Sequence, residues 1–371
     1  DLIAADPDEG ETPYWREATR AEALLLLDQE VEARAALRKA IARQPHAWED
    51  HAATIGQFAL ILAEKGWDAG WLDAHRPPPS VHFSGIAGLA TDTTEVEQAL
   101  ARYIASEQPG FAYGALAAGA DLLFAEAFIA WRDAECPAAE LHVVLPYPVD
   151  QFRKVSVAAF GDHWLPRFDA ALAQASSTTV YGLDDPSLPL AVEYADRVTM
   201  GRALRNAAVL ASRACAVTVV GQGESLRPQL ASWRDAAHPL TIIEGTRAVG
   251  ASRSAPAPTR HGLQAVIWAG EGDWSAYDDL LAAAAVARGL AVAEAGAQVV
   301  LLLAPCDPDH PPAALLQRAA ALAAVAVPAT VVTDEATAMA LVCAGWGGTV
   351  EELGELPLPS GREPIWSVLS A

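Results

Sequence analysis

The segment GALAAGADLLFAEAFIA, residues 114–130, is a run of apolar, helix-forming residues that follows two glycines, Gly114 and Gly119. Two carboxylates, Asp121 and Glu126, interrupt the apolar run five residues apart. A buried helix needs neither feature, whereas a helix whose N-terminus meets a ligand could use both. With the short apolar run FAYG before it, the segment predicts a strand, a tight turn and a long helix, which is the repeating unit of an α/β fold.

The same alternation continues on both sides of this segment. Apolar runs that predict strands occur in VHFSGIAG, ELHVVLPYP, STTVYGL, AVTVVG and LTIIEG, and stretches of helical periodicity lie between them. Strands that alternate with helices require crossover connections. We therefore expect an α/β fold with a doubly wound, mostly parallel, Rossmann-like sheet over residues 80–247.

The flanking regions have other patterns. Residues 1–79 place apolar side chains at three- and four-residue steps, which predicts a helical, tetratricopeptide-like region that ends at the prolines of RPPPS. Residues 248–261 are rich in Ala, Ser, Pro and Arg and predict a linker. Residues 262–371 predict a smaller α+β domain, with strands in LQAVIWAGEG, AQVVLLLAP and PATVVT and a final hairpin.

The composition excludes several classes of function. A net charge of -22, from 25 basic and 47 acidic residues, argues against a nucleic-acid surface, which needs clustered Lys and Arg. The sequence contains no uninterrupted apolar run long enough for a membrane span and no signal-peptide pattern. The four cysteines are widely separated and are expected to be reduced thiols, so we expect a cytoplasmic protein.

Three glycine-containing turns follow predicted strands of the sheet. FSGIAG contains Ser84 and Gly85, YGALAAGAD contains Gly114 and Gly119, and VVGQGES contains Gly221, Gly223 and Glu224. None is a complete G-x-G-x-x-G or P-loop motif, and each turn alone is explained by tight packing between a strand and its helix. Because carboxyl ends of parallel strands meet at one edge, three such turns together favour a shared ligand pocket.

The two carboxylates of the opening segment have different expected roles. Asp121 lies near the start of the helix, where it could cap free N–H groups. Glu126 lies roughly 140° around the helix from Asp121, so the two side chains do not form an acid/base pair. Glu126 could reach a ribose hydroxyl, and the alternative is a salt bridge to an arginine of the same domain.

The one basic cluster lies on a predicted long helix, RVTMGRALRNAAVLASR. Arg202 and Arg205 share a face of this helix, and a planar guanidinium suits a phosphate. The alternative is a solvated face of ion pairs, since Glu193 and Asp196 are nearby. No spacing typical of metal ligands or of a catalytic nucleophile occurs, so we assign no metal and no catalytic residue.

Residues 83–85, 113–127 (YGALAAGADLLFAEA), 140–157 and 164–172 resemble the SLOG superfamily, the Rossmann-like domain of the Smf/DprA and LOG proteins. The resemblance implies a pocket for a nucleotide or a nucleotide-derived ligand, including NAD-derived molecules. It places in that pocket Ser84, Gly85, Gly114, Gly119, Asp121, Gly221 and Gly223. The loop that reads Pro-Gly-Gly-x-Gly-Thr in catalytic LOG proteins reads GQGES here, which favours ligand sensing over phosphoribohydrolase activity.

Residues 262–371 resemble a class III nucleotide-cyclase homology domain that lacks its metal-binding aspartates. Gly270 stands near the position of the first aspartate, so this domain is expected to be a structural or dimerisation module.

Together these features predict a non-catalytic sensor or scaffold in bacterial signalling or defence. It would bind a nucleotide-like small molecule and would contact a protein partner, or a second copy of itself, through the helical and cyclase-like domains. The alternatives are a hydrolase of nucleotide N-glycosidic bonds, assisted by Glu126 or Glu224, and a purely structural interaction protein.

Overall fold

The computed structural model describes residues 12–183, 188–248, 262–270, 273–293, 297–327, 329–359 and 361–370. By its internal contacts the chain divides into two compact units. One consists of Asp1–Ser80 with Asn206–Arg213, and the other of Val81–Arg205 with Ala214–Ala371. The linker expected at residues 248–261 lies, except for residue 248, outside the described residues.

Between residues 12 and 79, the first unit is described as three helices and a 3₁₀ turn. They are α1 (Pro13–Leu26), α2 (Glu30–Arg43), α3 (Trp48–Lys65) and the 3₁₀ turn Gly70–His75. The Thr12 hydroxyl caps α1 by accepting from the backbone N–H of Trp15, and Gly66 ends α3 in the left-handed conformation. The apolar stripes predicted by the three- and four-residue steps pack against one another through Leu25, Leu37 and Phe58.

The second unit contains the predicted parallel sheet. Its strands are β1 (Ser80–Gly85), β2 (Phe111–Gly114), β3 (Glu140–Leu145), β4 (Ser177–Val180), β5 (Ala214–Gly221) and β6 (Leu240–Gly245). Its helices are α4 (Thr94–Glu107), α5 (Ala120–Glu135), α6 (Trp164–Ala173), α7 (Leu188–Val209) and α8 (Pro228–Asp235). The strand order β4-β3-β2-β1-β5-β6 confirms the expected α/β, doubly wound fold.

The two faces of the central strands differ in chemistry. Alternate residues of β1 and β5, such as Val81, Phe83 and Val219, belong to an apolar core that includes Phe124 of α5. Phe83 stacks on Phe124 with ring centroids 4.4 Å apart. The intervening positions of β1 carry Ser80, His82 and Ser84, and those of β5 include Thr218, to which Ser84 donates at 3.4 Å. The sheet is therefore apolar on one face and polar near the carboxyl ends of β1 and β5 on the other.

A second, mixed sheet follows. It contains β7 (Gly262–Ala269), β8 (Asp273–Tyr277), β9 (Val299–Cys306), β10 (Val331–Asp334), β11 (Val350–Leu358) and β12 (Gly361–Val368) in the order β11-β12-β10-β9-β7-β8. The helices α9 (Leu280–Ala293), α10 (Ala313–Ala323) and α11 (Glu335–Ala344) connect its strands. The final hairpin was expected, whereas β8, which pairs antiparallel with β7, was not.

Helix α7 packs against this second sheet. Tyr194 and Val198 belong to the apolar core that includes Met339 of α11 and Trp366 of β12. Gly201 lies directly against the backbone carbonyl of Met339, so a side chain at this position would overlap with it. The contact explains why a glycine occupies the middle of a long helix, where it otherwise costs stability.

Candidate functional site

A cavity of about 180 Å³ lies at the carboxyl ends of β1 and β5. These strands are neighbours, but the chain leaves β1 towards β2 on one side and later returns to β5 on the other. Doubly wound sheets bind their ligands at such a reversal of strand order. The polar side chains that line the interior of the cavity are Ser84, Asp121, Ser156, Asp196, Thr199 and Thr218.

Asp121 is the most unusual of these side chains. It lies in the first turn of α5, is only 8% exposed, and accepts hydrogen bonds from the backbone N–H groups of Ala117, at 3.3 Å, and of Gly85. Burial raises the pKa of Asp121 to about 7; Arg227 lowers it and Asp196 raises it further. Functional carboxyls are often found in such an environment, buried in a cavity and without a cation paired to them.

The expected capping role of Asp121 is wrong in its details. Gly119 occupies the N-cap position of α5 and no side chain caps the helix there. The carboxylate turns back to Ala117 in the preceding loop, so it fixes the loop that lines the cavity.

Arg227 and Asp196 form an ion pair across the cavity. Arg227 Nη1 lies 3.1 Å from Asp196 Oδ2, and the Asp196 side chain is buried. The second terminal nitrogen, Arg227 Nη2, is buried and has no hydrogen-bond partner among the described residues. A buried cationic N–H without an acceptor is costly, so an oxygen of a ligand that accepted from Arg227 Nη2 would remove this cost.

His82 lies on β1 two residues before Ser84 and is fully buried. Burial lowers the pKa of His82 to about 3, and the positive charge of Arg227 adds to this effect. The imidazole is therefore neutral at physiological pH and contributes no charge to the site.

The mouth of the cavity is crossed by a second ion pair, Glu224 with Arg247. Nε and Nη2 of Arg247 both donate to the Glu224 carboxylate, and Nη1 donates to the carbonyl of Ala87 at 2.9 Å. The hydrogen bond from Arg247 lowers the pKa of Glu224. The pair ties the turn after β5 to the loop after β1.

Two of the predicted ligand glycines have packing roles instead. A Cβ on Gly85 would overlap with Ala120 of α5, and a Cβ on Gly114 would lie 2.6 Å from the Phe83 ring. Gly85 also lines the cavity, whereas Gly114 does not. The structure thus gives Gly114 a packing role, since β2 and β1 leave no room for a Cβ there.

The other three glycines shape turns at the same edge and do not themselves line the cavity. Gly119 has φ +96°, and a Cβ there would lie 2.7 Å from the carbonyl of Ile86. Gly223 has φ +74° with open space around it. Gly221 lies beneath the Glu224 side chain, whose carboxyl carbon would be 2.5 Å from a Cβ.

Glu126 lies outside the cavity and forms the expected alternative contact. Arg167 donates to both carboxylate oxygens of Glu126, with its Nε 2.6 Å from Oε1, and its guanidinium stacks on Trp164 at 4.4 Å. The structure thus gives Glu126 the salt bridge expected as the alternative, and its carboxylate oxygens are occupied by an arginine.

We expect Glu126→Gln to reduce the free energy of unfolding by less than about 1 kcal/mol, because both partners are about one-third exposed. Urea unfolding followed by tryptophan fluorescence measures the difference. A loss above 2 kcal/mol would show that this pair has a larger structural role than a surface salt bridge.

The arginines of α7 that were expected to bind a phosphate have partners within the protein. Arg202 is 2.7 Å from Glu335 and donates to Thr179 and Tyr181. Arg205 stacks on Trp366 at 4.4 Å and donates to the carbonyl of Val350 at 3.4 Å. Neither lines the cavity. Both hold α7 against the second sheet and its helix α11, which gives them a structural role away from the cavity.

Polar and charged cavity residues outside the predicted site include Asp196, Thr199, Thr218, Arg227 and Arg247. Asp196 and Thr199 share one face of α7 at a three-residue step, which is the only sequence signal for them. Arg227 and Arg247 pair with carboxylates 31 and 23 residues away. Local patterns do not reveal such pairs.

Two further features bear on function. Within the described ranges, no three His, Cys, Asp or Glu side chains come together as metal ligands, and all four cysteines are free thiols. Among the helices described, none has the length and apolar character needed to cross a bilayer.

Comparison with known proteins gave no relatives: no family model, no curated protein and no solved structure matches this chain.

Proposed function

We propose that this protein is a non-catalytic sensor or scaffold that binds a nucleotide-derived small molecule in the cavity between β1 and β5. The observation that carries the proposal is Asp121, a buried carboxyl whose hydrogen bonds from the chain come from two backbone N–H groups, facing a cavity at the switch point of the sheet. Asp121 would accept hydrogen bonds from a ribose hydroxyl or an exocyclic amine, and Arg227 Nη2 would donate to a ligand oxygen.

The size and lining of the cavity indicate which part of such a ligand it would hold. Drug-sized ligands occupy pockets of roughly 300–1,000 Å³, so about 180 Å³ suits one part of a nucleotide. Phe152 and Phe160 supply apolar surface for a flat ring. The remainder of the molecule would leave through the mouth, past Glu224 and Arg247.

Helix α7 supplies a physical route from the cavity to the rest of the unit. Its residues Val192, Asp196 and Thr199 line the cavity, while Tyr194 and Val198 pack against the second sheet. A ligand that shifts α7 would therefore change the packing of that sheet. We propose that this sheet serves as the degenerate cyclase-like module that passes ligand occupancy to a partner in bacterial signalling or defence.

Exposed apolar side chains support a protein partner for the helical unit. Leu26, Leu27 and Val31 lie around the turn between α1 and α2 and are 55%, 67% and 76% exposed. Apolar side chains clustered on a surface are typical of interaction sites.

One observation favours a second candidate, a hydrolase of N-glycosidic bonds. A carboxyl whose pKa is about 7 can act as a general acid at neutral pH, and Asp121 meets this condition inside the cavity. The carboxylates of Glu126 and Glu224 are each held by an arginine instead. The hydrolase candidate therefore depends on Asp121.

A thermal-shift screen with nucleosides, mono-, di- and cyclic nucleotides and NAD-derived molecules tests the proposal. A compound at 100 times its dissociation constant stabilises the folded state by about 2.7 kcal/mol, which raises Tm by several degrees. We expect at least one compound to give such a shift in the wild type and in Glu126→Gln, whose substitution lies outside the cavity.

Chromatography of each binding compound after incubation separates the two candidates. An unchanged compound supports a sensor, and release of a free base or nicotinamide supports the hydrolase. The absence of any shift across the screen would contradict ligand binding and leave a structural protein.

A further inference from the structure

The guanidinium of Arg247 has the bidentate geometry with which arginines commonly bind the anionic group of a ligand. Two of its nitrogens face one carboxylate, with Nη2 2.9 Å from Glu224 Oε2, and the third donates to the Ala87 carbonyl. This two-pronged geometry matches phosphates as well as carboxylates. The anion it holds is a side chain of the protein, at the mouth of the cavity.

The Glu224 carboxylate packs against Gly221, the last residue of β5. A Cβ on Gly221 would lie 2.5 Å from both the carboxyl carbon and Oε1 of Glu224, so the glycine leaves room for this carboxylate. In doubly wound sheets, glycines at the switch point make room for an anionic ligand group. Here a carboxylate of the chain fills that position.

Glu224 is also placed to leave this position. Its side chain is 39% exposed, and the preceding Gly223 has φ +74° with open space on the side where a Cβ would lie. Rotation towards solvent would expose the charge of Arg247 without burying the carboxylate. Because the ion pair is partly exposed, its loss is inexpensive compared with that of a buried pair.

We propose that Glu224 is an internal counter-anion that occupies the site of a ligand phosphate, and that Arg247 binds this phosphate when Glu224 turns away. The assignment rests on the proposed function, since it concerns the anionic end of a ligand whose other end fills the cavity. Glu224 makes the site selective: an isolated anion must displace a tethered carboxylate, whereas a nucleotide gains binding energy from the cavity as well.

Binding of inorganic phosphate to wild-type protein, Glu224→Gln and the double variant Glu224→Gln/Arg247→Gln tests the assignment. Titration by ³¹P NMR measures weak dissociation constants directly. We expect Glu224→Gln to bind phosphate at least tenfold more tightly than the wild type, because the competing charge is gone. The double variant should lose this gain.

Glu193→Gln on α7 is the matched control. Glu193 also pairs with an arginine, Arg197, at 2.8 Å and similar exposure, but the pair lies away from the cavity mouth. A general effect of freeing an arginine would strengthen phosphate binding equally in Glu193→Gln. Glu224→Ala, with its fold checked by thermal melting, repeats the test with a different side chain.

Phosphate binding by Glu224→Gln no tighter than by Glu193→Gln, or retained in the double variant, would overturn the assignment. Adenosine and AMP keep this result separate from the proposed function. If adenosine binds but Glu224→Gln gains no phosphate affinity, the proposed function stands and the counter-anion fails. If phosphate affinity rises but neither compound binds, the counter-anion stands and the proposed function loses support.

Discussion

Replacing Asp121 by asparagine is expected to stabilise the ligand-free protein at pH 8 and to leave its stability almost unchanged at pH 4. The folded-state pKa of this carboxyl is about 7, against 3.8 for an ordinary aspartate, because the side chain is buried. Between these values the folded protein keeps a proton that the unfolded chain loses, so wild-type stability falls as the pH rises. Asparagine carries no charge and escapes this loss.

The gain at pH 8 is large for a single substitution. At about 1.4 kcal/mol for each pH unit between the two pKa values, the free energy of unfolding rises by up to about 4 kcal/mol. Asp196 and Arg227 face Asp121 and keep their mutual ion pair in the variant. His82 is already neutral, so it does not titrate over this range.

Urea unfolding at pH 4, 6 and 8 measures this difference for wild type and variant. Asp133→Asn is the matched control, because Asp133 lies on the same helix but is exposed. A pH-independent difference between wild type and Asp121→Asn would show that the Asp121 carboxyl ionises normally. A stabilised variant that loses ligand binding would show that Asp121 is kept for function at a cost in stability.

The second large effect is expected from Gly201→Ala on α7. The added Cβ would overlap with the backbone carbonyl of Met339, which cannot rotate away as a flexible side chain could. Overpacking of a tight core contact costs typically 1–3 kcal/mol and occasionally more, and backbone overlap places this variant at the upper end. We expect the free energy of unfolding to fall by about 3 kcal/mol.

Gly289→Ala is the control, and it is expected to increase the free energy of unfolding. Gly289 lies within α9 and nothing would lie within 4 Å of its Cβ, so alanine should stabilise the helix by about 0.5–1 kcal/mol. Urea unfolding of both variants measures the two effects. Equal small changes would show that α7 and α11 do not pack at the distance described.

The sheet was predictable from the sequence because its signals are local. Buried runs such as AVTVVG and the helices between them occur within single segments, and right-handed crossovers leave few ways to arrange them. Strand β8 has a weak sequence signal because DWSAY is only five residues long and carries polar Asp273 and Ser275, although it pairs antiparallel with the preceding β7. Edge strands often carry this weak signal.

The site was predictable only in part. Ser84, Gly85, Asp121 and Glu224 line the cavity as expected, because residues that follow parallel strands meet at one edge. Gly114 could not be assigned, since its role depends on the position of the Phe83 ring from a neighbouring strand.

The arginines show the same limit more clearly. The spacing of Arg202 and Arg205 on one helix predicts a shared site for a phosphate. Both instead contact the second sheet and its helix α11, which lie far away in the sequence, at Glu335, Val350 and Trp366. No local pattern predicts the roles of Arg227 and Arg247, because the carboxylates that pair with them, Asp196 and Glu224, lie in other elements. Tertiary contacts, and not helical spacing, decide which guanidinium faces the cavity.

The most direct test of the account fills the cavity while leaving its polar groups unchanged. Ala195 lines the cavity from α7 and is buried, so Ala195→Leu places three additional carbons in that space without a cost in helix propensity. Ala101→Leu on α4, where Ala101 is exposed, controls for the substitution itself. Calorimetric titration with the compound that gives the largest thermal shift should show binding to the wild type and Ala101→Leu and none to Ala195→Leu. Equal affinity for all three proteins would place the ligand elsewhere and contradict the account.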